Sequence, residues 1–250
     1  MVNEIMVRQV ELQHILPLRE LFLSENRFQI RFNACHERKM SDSYLIAAEG
    51  APIGYGSVKG AEQLSDRDAI FEFYVLPPYR SKAHLFFPKL LEASGAAFIQ
   101  CQSNERLLTS MLYQFGRDIR AEAILFEDDA AAGLRIPDAE FRPRREDDAV
   151  FEHKLEPVGE FVLASRGEIV ATGGYLQHYN KPYADLYMEV KENARLQGFG
   201  SYFVQRLKER CYSAGRVPAA RCGISNAASR ATLLKAGFRI CGFVLQGRLR

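Results

Sequence analysis

The residues best placed to do chemistry lie between Val190 and Ser201, in the run VKENARLQGFGS. Arg195, Gly198 and Gly200 stand there at a spacing that joins a strand to a helix through a basic, glycine-lined turn. Without side chains, Gly198 and Gly200 let a ligand approach the backbone closely. The first N–H groups of the helix that follows have no intrahelical partner, and the helix dipole adds positive potential beside them. Such a corner suits a pyrophosphate, and Arg195 adds a full charge. A glycine helix start that holds no ligand satisfies the same pattern. A dinucleotide fingerprint needs a third glycine where Phe203 stands, and a P-loop needs a lysine that is missing, so both nucleotide readings fail.

A strand must deliver Val190 to this turn and a helix must leave it. Over 200–212 the pattern predicts a helix with Phe203, Val204, Leu207 and Cys211 on one face. Gln205, Arg206, Lys208 and Glu209 fall largely on the other. Around it the sequence predicts a hairpin over 160–164 and 169–176, and strands over 184–190 and 219–223. A helix capped by Ser225 or Asn226 follows, closed at Gly237-Phe238, and then a strand over 238–245. The front half predicts a helix over 11–24 with Pro17 inside it, and a hairpin over 44–48 and 53–59. Next come a strand over 70–76 stopped by Pro77-Pro78, a helix over 81–94, a strand over 96–102 and a helix over 105–115.

These two series repeat one another. LIAAEGAPIGYG, from Leu45, answers LASRGEIVATGG, from Leu163, with turn glycines at Gly50 and Gly167. Val75 precedes Arg80 by five residues, as Val190 precedes Arg195. CQSNERLLTSMLYQFG, from Cys101, answers CGISNAASRATLLKAG, from Cys222. Four features in one order, offset by about 115 to 122 residues, predict two related α/β domains over 1–126 and 149–250. The segment 127–148, rich in Asp, Ala, Arg and Pro, reads as a linker.

The run Arg195-Leu196-Gln197-Gly198-Phe199-Gly200 resembles the acyl-CoA signature [RQ]-x-x-G-x-[GA] of the GNAT superfamily of N-acetyltransferases. Asn226, Ser229 and LLKAGF from Leu233 resemble that family's second motif, and the resemblance covers about 160–249. It implies an α/β (α+β) fold of two tandem GNAT-like domains, each a mixed central sheet flanked by helices. It implies acetyl-CoA as cosubstrate, without a metal, and assigns its binding to Met188, Val190, Arg195, Leu196, Gln197, Gly198, Phe199, Gly200, Ser201 and Asn226. In the first domain the matching turn reads Arg80-Ser81-Lys82-Ala83-His84-Leu85. Ala83 and Leu85 replace both glycines, so this degenerate copy is expected to bind CoA poorly and to serve a structural or acceptor-shaping role.

By the same resemblance the reaction is acetyl transfer from acetyl-CoA to an amine of a small molecule or a protein. A backbone N–H near Met188 or Val190 would polarise the thioester carbonyl. An alkyl ammonium, with a pKa of about 10.4, must lose a proton first. Glu189 is the carboxylate on the key strand, with Tyr187, Tyr179 and His178 as further candidates; each also fits a solvent-facing, packing or rim residue. Leu233 stands where many members carry a tyrosine acid, leaving Tyr202 or water to protonate the thiolate. A non-catalytic acyl-CoA-binding or sensing protein is the alternative, and a scaffold without a ligand a third reading.

Composition sets the outer bounds. Lys plus Arg number 33 against 31 Asp plus Glu, a net charge of +2 with no basic stripe, which gives no electrostatic case for a nucleic-acid partner. Glu4, Arg8 and Glu11 interrupt the N-terminus before any signal-peptide core forms, and no run is apolar enough for a membrane. Cys35, Cys101, Cys211, Cys222 and Cys241 lack zinc spacing and read as reduced thiols of a cytoplasmic protein. The loops 27–36 and 177–183, with His178, Tyr179 and Tyr183, are candidate acceptor walls. A homodimer stays open.

Overall fold

The computed structural model describes residues 4–31, 33–63 and 65–250. The chain divides into two compact units: the described residues up to Glu122 together with Gly242–Arg250, and Ala123–Cys241.

The first unit runs β1 (Ile5–Val10), α1 (Leu16–Glu25), α2 (Asn33–Glu37), β2 (Ser41–Ala48), β3 (Ala51–Lys59), β4 (Ala69–Val75), α3 (Ala83–Ser94), β5 (Phe98–Gln102) and α4 (Arg106–Phe115). Neighbours β1 to β4 pair antiparallel, and β5 joins β4 parallel. Alternation along the strands splits the core in two. Leu45, Tyr55 and Tyr74 meet Ile15, Leu18 and Phe22 on one side. Ile46, Ile70 and Phe73 meet Phe86, Phe87 and Leu90 of α3 and Leu108 and Leu112 of α4 on the other. Pro17 sits in the first turn of α1, where a missing N–H costs nothing. The helix therefore starts at Leu16 rather than residue 11.

The second unit repeats the order with β7 (Ala139–Pro143), β8 (Phe161–Ser165), β9 (Glu168–Leu176), β10 (Tyr183–Val190), α5 (Phe199–Ser213), β11 (Val217–Gly223) and α6 (Ala227–Lys235). β7 to β10 are antiparallel and β11 joins β10 parallel. The helix α5 lies across β9, β10 and β11, burying Phe203, Val204, Leu207 and Cys211 as its period requires. The stretch 144–160 has no helix. Its backbone is tied to the sheet through Gly159, whose N–H donates to Thr172 Oγ1 at 3.2 Å.

Two long strands carry the division of the chain. β6 (Gly116–Asp128) follows α4, and its second half pairs with β11 in the second unit, from Ala219↔Glu127 to Gly223↔Ala123. β12 (Phe238–Leu249) follows α6, and its second half pairs with β5 in the first unit. The expected boundaries are displaced accordingly. Residues 242–250, expected in the second domain, belong to the first because Val244–Arg248 completes its sheet.

The expected linker 127–148 is an integral part of the second unit. Its strand β7 places Phe141 against Phe161 and Phe203, at 5.4 Å between ring centroids in each case. The Gln205 side chain holds both the N–H and the carbonyl of Leu134. Lys208, expected on the polar face of its helix, is buried. Its ammonium pairs with Asp128 and donates to the carbonyls of Ala130 (2.8 Å) and Ala236 (2.9 Å), which satisfies a charge that burial would otherwise penalise.

Candidate functional site

The turn into α5 has the geometry of an anion cradle. Leu196 is fully exposed with φ +62°, and Gly198 has φ +88°. A left-handed leucine costs about 1 kcal/mol, and an apolar side chain held so in water marks a turn shaped by something other than packing. The first backbone bond of the helix runs from Tyr202 N–H to the Gly198 carbonyl, at 3.1 Å. No side chain caps α5, and no acid lies in its first turn. The N–H groups of Phe199, Gly200 and Ser201 therefore precede the helical ladder at the positive end of the dipole.

The two glycines serve different ends. Gly198 supplies the left-handed backbone. The Lys235 ammonium, at the end of α6, lies 3.9 Å from where a Gly198 Cβ would stand, which brings a second cation to the corner beside Arg195. Gly200 is needed for packing: a Cβ there would stand 3.2 Å from Met188 Cε, 3.3 Å from Thr232 Cγ2 and 3.4 Å from Val190 Cγ2. Phe199 and Ser201 are buried beneath the turn, and the Gln197 amide donates back to Asn193 O at 3.1 Å.

Beside this corner the sheet opens. β10 pairs with β9 as far as Val190↔Ala171, but with β11 only over Tyr183–Asp185. Lys191 N–H donates to Val170 O at 2.9 Å, toward β9. Alternation then turns the backbone groups of Met188 and Val190 to the opposite edge, where β11 has diverged. The Val190 carbonyl is taken by Arg195 Nε at 3.2 Å, and the N–H of Met188 faces the gap. Asn226, where β11 gives way to α6, uses its Oδ1 to accept Ser229 N–H at 3.0 Å and so caps that helix.

The titratable groups lie on the other face of β10. Glu189, expected as a base, is only 5% exposed. Its carboxylate accepts the backbone N–H groups of Lys154, Leu155 and Glu156 at 3.0–3.2 Å. Burial would raise its pKa, but those three donors and His153 outweigh it, and the net displacement is downward. A carboxylate so held organises the 153–156 loop and is a poor proton acceptor. Tyr187 lies over Gly174, its phenol 3.0 Å from where a Cβ there would stand, and partial burial raises its pKa.

Of the other candidates, Tyr179 is buried, and Leu233 is a core residue of α6. His178 Nε2 lies 3.1 Å from Asp185 Oδ2, which also pairs with Arg221 Nε at 3.4 Å. Partial burial lifts the pKa of Glu156, with Arg221 opposing and the charges of Asp185 and Glu189 reinforcing it. Sequence reasoning had Lys235 only as part of LLKAGF, without a role, and passed over Asp185, Arg221 and Glu156. The two-residue period links Asp185 to Tyr187 and Glu189, but no local pattern announces Arg221 or Glu156.

Comparisons with known proteins bear on the family and the fold. Residues 125–238 match the model of the acetyltransferase (GNAT) family. No curated protein matches the chain. Among solved structures, a GNAT-family acetyltransferase from Colwellia psychrerythraea has a TM-score of 0.76 at 14% identity, over 98% of this chain and 100% of that one. A tandem GNAT protein from the clavulanic acid biosynthesis pathway has a TM-score of 0.59 at 10% identity, over 98% of each chain. A GCN5-related N-acetyltransferase from Sphaerobacter thermophilus has 0.58 at 12%, over 99% of this chain and 96% of that one. At such identities the likeness is one of fold. Residues 125–238 thus resemble the acetyltransferase (GNAT) family, and the chain as a whole shares the fold of a tandem GNAT protein.

Proposed function

We propose that this protein transfers an acetyl group from acetyl-CoA to an amine, with the cosubstrate held in the second unit. The observation that carries the reading is the opening between β10 and β11 beside the bare start of α5. The diphosphate would rest on the N–H groups from Gly198 to Ser201, between Arg195 and Lys235. Leu196, Gln197 and Phe199 shape that turn. The pantetheine arm would run along the free edge of β10, exchanging amide bonds with Met188. At the thioester, the Met188 N–H would polarise the carbonyl. Asn226 would border the arm from the far side of the gap.

The acceptor would approach from the face that carries Tyr187, Asp185 and Glu156. Once deprotonated, the amine nitrogen attacks the thioester carbon, the C–N bond forms, the C–S bond breaks to release the CoA thiolate, and the nitrogen gives up its extra proton to water or to that thiolate. That thiolate leaves without a strong acid, since an alkyl thiol has a pKa of about 8.5. Glu156, with its raised pKa, is a better proton acceptor than Glu189.

A non-catalytic acyl-CoA-binding protein is the second reading. Two features favour it: the saturated carboxylate of Glu189 and Leu233 where a tyrosine acid would stand. Thiol release from acetyl-CoA across a panel of primary amines separates the two. Turnover that Gly198→Val abolishes in a folded protein supports the transferase. Tight CoA binding without turnover on any amine supports the binding protein. Unchanged CoA affinity in folded Gly198→Val ends both.

A further inference from the structure

A relay of hydrogen bonds in the first unit ends on a serine. Its inner end is Glu72, whose side chain is 1% exposed. Arg19 Nη2 donates to Oε1, while Arg19 Nε, His36 Nε2 and the Tyr55 hydroxyl all meet Oε2, each at 3.0 Å. Its middle is the buried His36, whose ring lies 5.2 Å from that of Phe71. Its outer end is Ser41, with Oγ 3.1 Å from His36 Nδ1. Ser41 is only half-buried. The series runs from a core carboxylate, through an imidazole shielded from water, to a residue that solvent reaches.

The charges fix the direction of each bond. A carboxyl gripped by two nitrogens of one guanidinium is ionised and can only accept. His36 Nε2 must then carry a proton, and in the neutral ring Nδ1 is left as an acceptor. The Ser41 hydroxyl donates to it. Arg19 alone would neutralise Glu72, so the imidazole is not needed to balance its charge. What the imidazole adds is a base held at a fixed angle to a hydroxyl by two hydrogen bonds and the Phe71 ring.

We propose that Ser41 is a nucleophile, aligned by His36 and Glu72, which takes an acyl group from a small activated ester. Its Oγ attacks the ester carbonyl carbon and the new C–O bond forms. The bond to the leaving phenolate or alkoxide breaks, and the hydroxyl proton passes to His36 Nδ1. The imidazolium then gives that proton to the leaving oxygen. Glu72 holds the tautomer and faces the positive charge the ring gains. Lys59 pairs with Ser41 across β2 and β3, which puts a cation on the same face of the sheet as the attacking oxygen. Because Arg19 shares the carboxylate, Glu72 supports the imidazolium less than an unshared acid would, so a slow acylation is expected.

Diisopropyl fluorophosphate and p-nitrophenyl acetate, each added to the full chain at pH 8 with the modified residue mapped by mass spectrometry, test this. In the first reagent Oγ attacks phosphorus and fluoride leaves. Both reagents are expected to modify Ser41 at least about a hundredfold faster than the exposed Ser24 and Ser110. Unfolding in urea should erase the difference. His36→Gln should slow modification by about a hundredfold or more. In case that variant does not fold, Ser41→Cys gives an independent reading. Its new thiol should react with iodoacetamide at least about tenfold faster than the half-buried Cys35 and Cys241, as a thiol beside an imidazole does. Modification of Ser41 no faster than of Ser24 and Ser110, an undiminished rate in folded His36→Gln, or an ordinary thiol in Ser41→Cys would each overturn the proposal. All the residues of the relay belong to the first unit. CoA affinity, governed by the other unit, is measured alongside, so failure here leaves the transferase reading standing.

Discussion

Arg195 Nε donates to the Val190 carbonyl at 3.2 Å, closing the turn that begins where β10 ends. Arg80 makes the same bond to Val75 in the first unit, at 2.9 Å. The bond shapes the corner in both units, but the rest of each guanidinium is used differently. In the first unit it pairs with Glu25 and lies 5.4 Å from the Tyr74 ring. In the second it stays half-exposed, with only a long 3.9 Å approach to Glu189.

It follows that Arg195→Ala should weaken CoA binding by about tenfold or more, from the loss of a charge-assisted phosphate contact, with a small effect on melting temperature. Arg80→Ala should do the reverse and lower stability while leaving CoA affinity as it was. Calorimetric titration and thermal melts on both variants check the pair. Equal losses of CoA affinity would mean that the corners are not differentiated.

Glu189→Gln is expected to act on stability. Replacing the carboxylate leaves three backbone donors with a weaker acceptor, a cost of about 1–3 kcal/mol. The net lowering of the Glu189 pKa gives the sign. Its contribution is present above the ordinary carboxylate pKa, 4.5, and fades as the pH falls below it. If Glu189 were the base, Glu189→Gln would instead lower kcat by about 10²–10⁴ and remove the acid limb of its pH profile. The kcat profile and the melting curve of one variant decide between these outcomes.

The sequence made the repeated core legible because its signals are local. The 3.6-residue stripe of Phe203, Val204, Leu207 and Cys211 is buried as read, and the turn glycines Gly50 and Gly167 have positive φ as their hairpins need. What escaped was long-range. Nothing near Ala123 or Gly242 announces that β6 and β12 each serve both units. β7 was hidden in a run of polar residues, because Phe141 is its one large apolar side chain and its partners Phe161 and Phe203 are far along the chain. The turn that Arg195 closes and Gly198 shapes was readable, with Gly198 left-handed and Arg195 bonded to Val190. The fate of Glu189 was not, since its partners are the N–H groups of residues 154–156, which carry no side-chain signature.

Deleting residues 242–250 should therefore damage the first unit, although the segment follows the second in sequence. The deletion strips β5 of its antiparallel partner from Phe98 to Gln102. It also removes the buried side chains of Val244 and Leu245. Two such side chains are worth about 3–6 kcal/mol together, and an unpaired strand edge invites aggregation. Hydrogen exchange should show lost protection in β4 and β5 first. Intact protection there would refute the exchange of terminal strands.

Two carboxyls near one another in the first unit should pull stability in opposite directions with pH. Glu72 is fully buried between Arg19, at 3.0 Å through both oxygens, His36 Nε2 at 3.0 Å and the Tyr55 hydroxyl at 3.0 Å. Burial alone would raise its pKa, but the Arg19 guanidinium and His36 bring it down to about 2. A folded value below the ordinary 4.5 means stabilisation at neutral pH of up to roughly 3 kcal/mol, lost as the pH falls from about 4.5 toward 2. Glu105 is displaced upward, so its ionisation opposes folding, and that penalty grows as the pH rises above 4.5. Glu72→Gln should thus lower the melting temperature at neutral pH and converge on the parent in strong acid. Glu105→Gln should raise it at about pH 8 and converge near pH 4. Because the negative Glu72 helps push Glu105 up, the gain from Glu105→Gln should shrink in a Glu72→Gln background, a non-additivity that a double-mutant cycle reads directly. A Glu105→Gln protein that melts below the parent at every pH would show that the carboxyl is ionised and paired rather than neutral and orphaned.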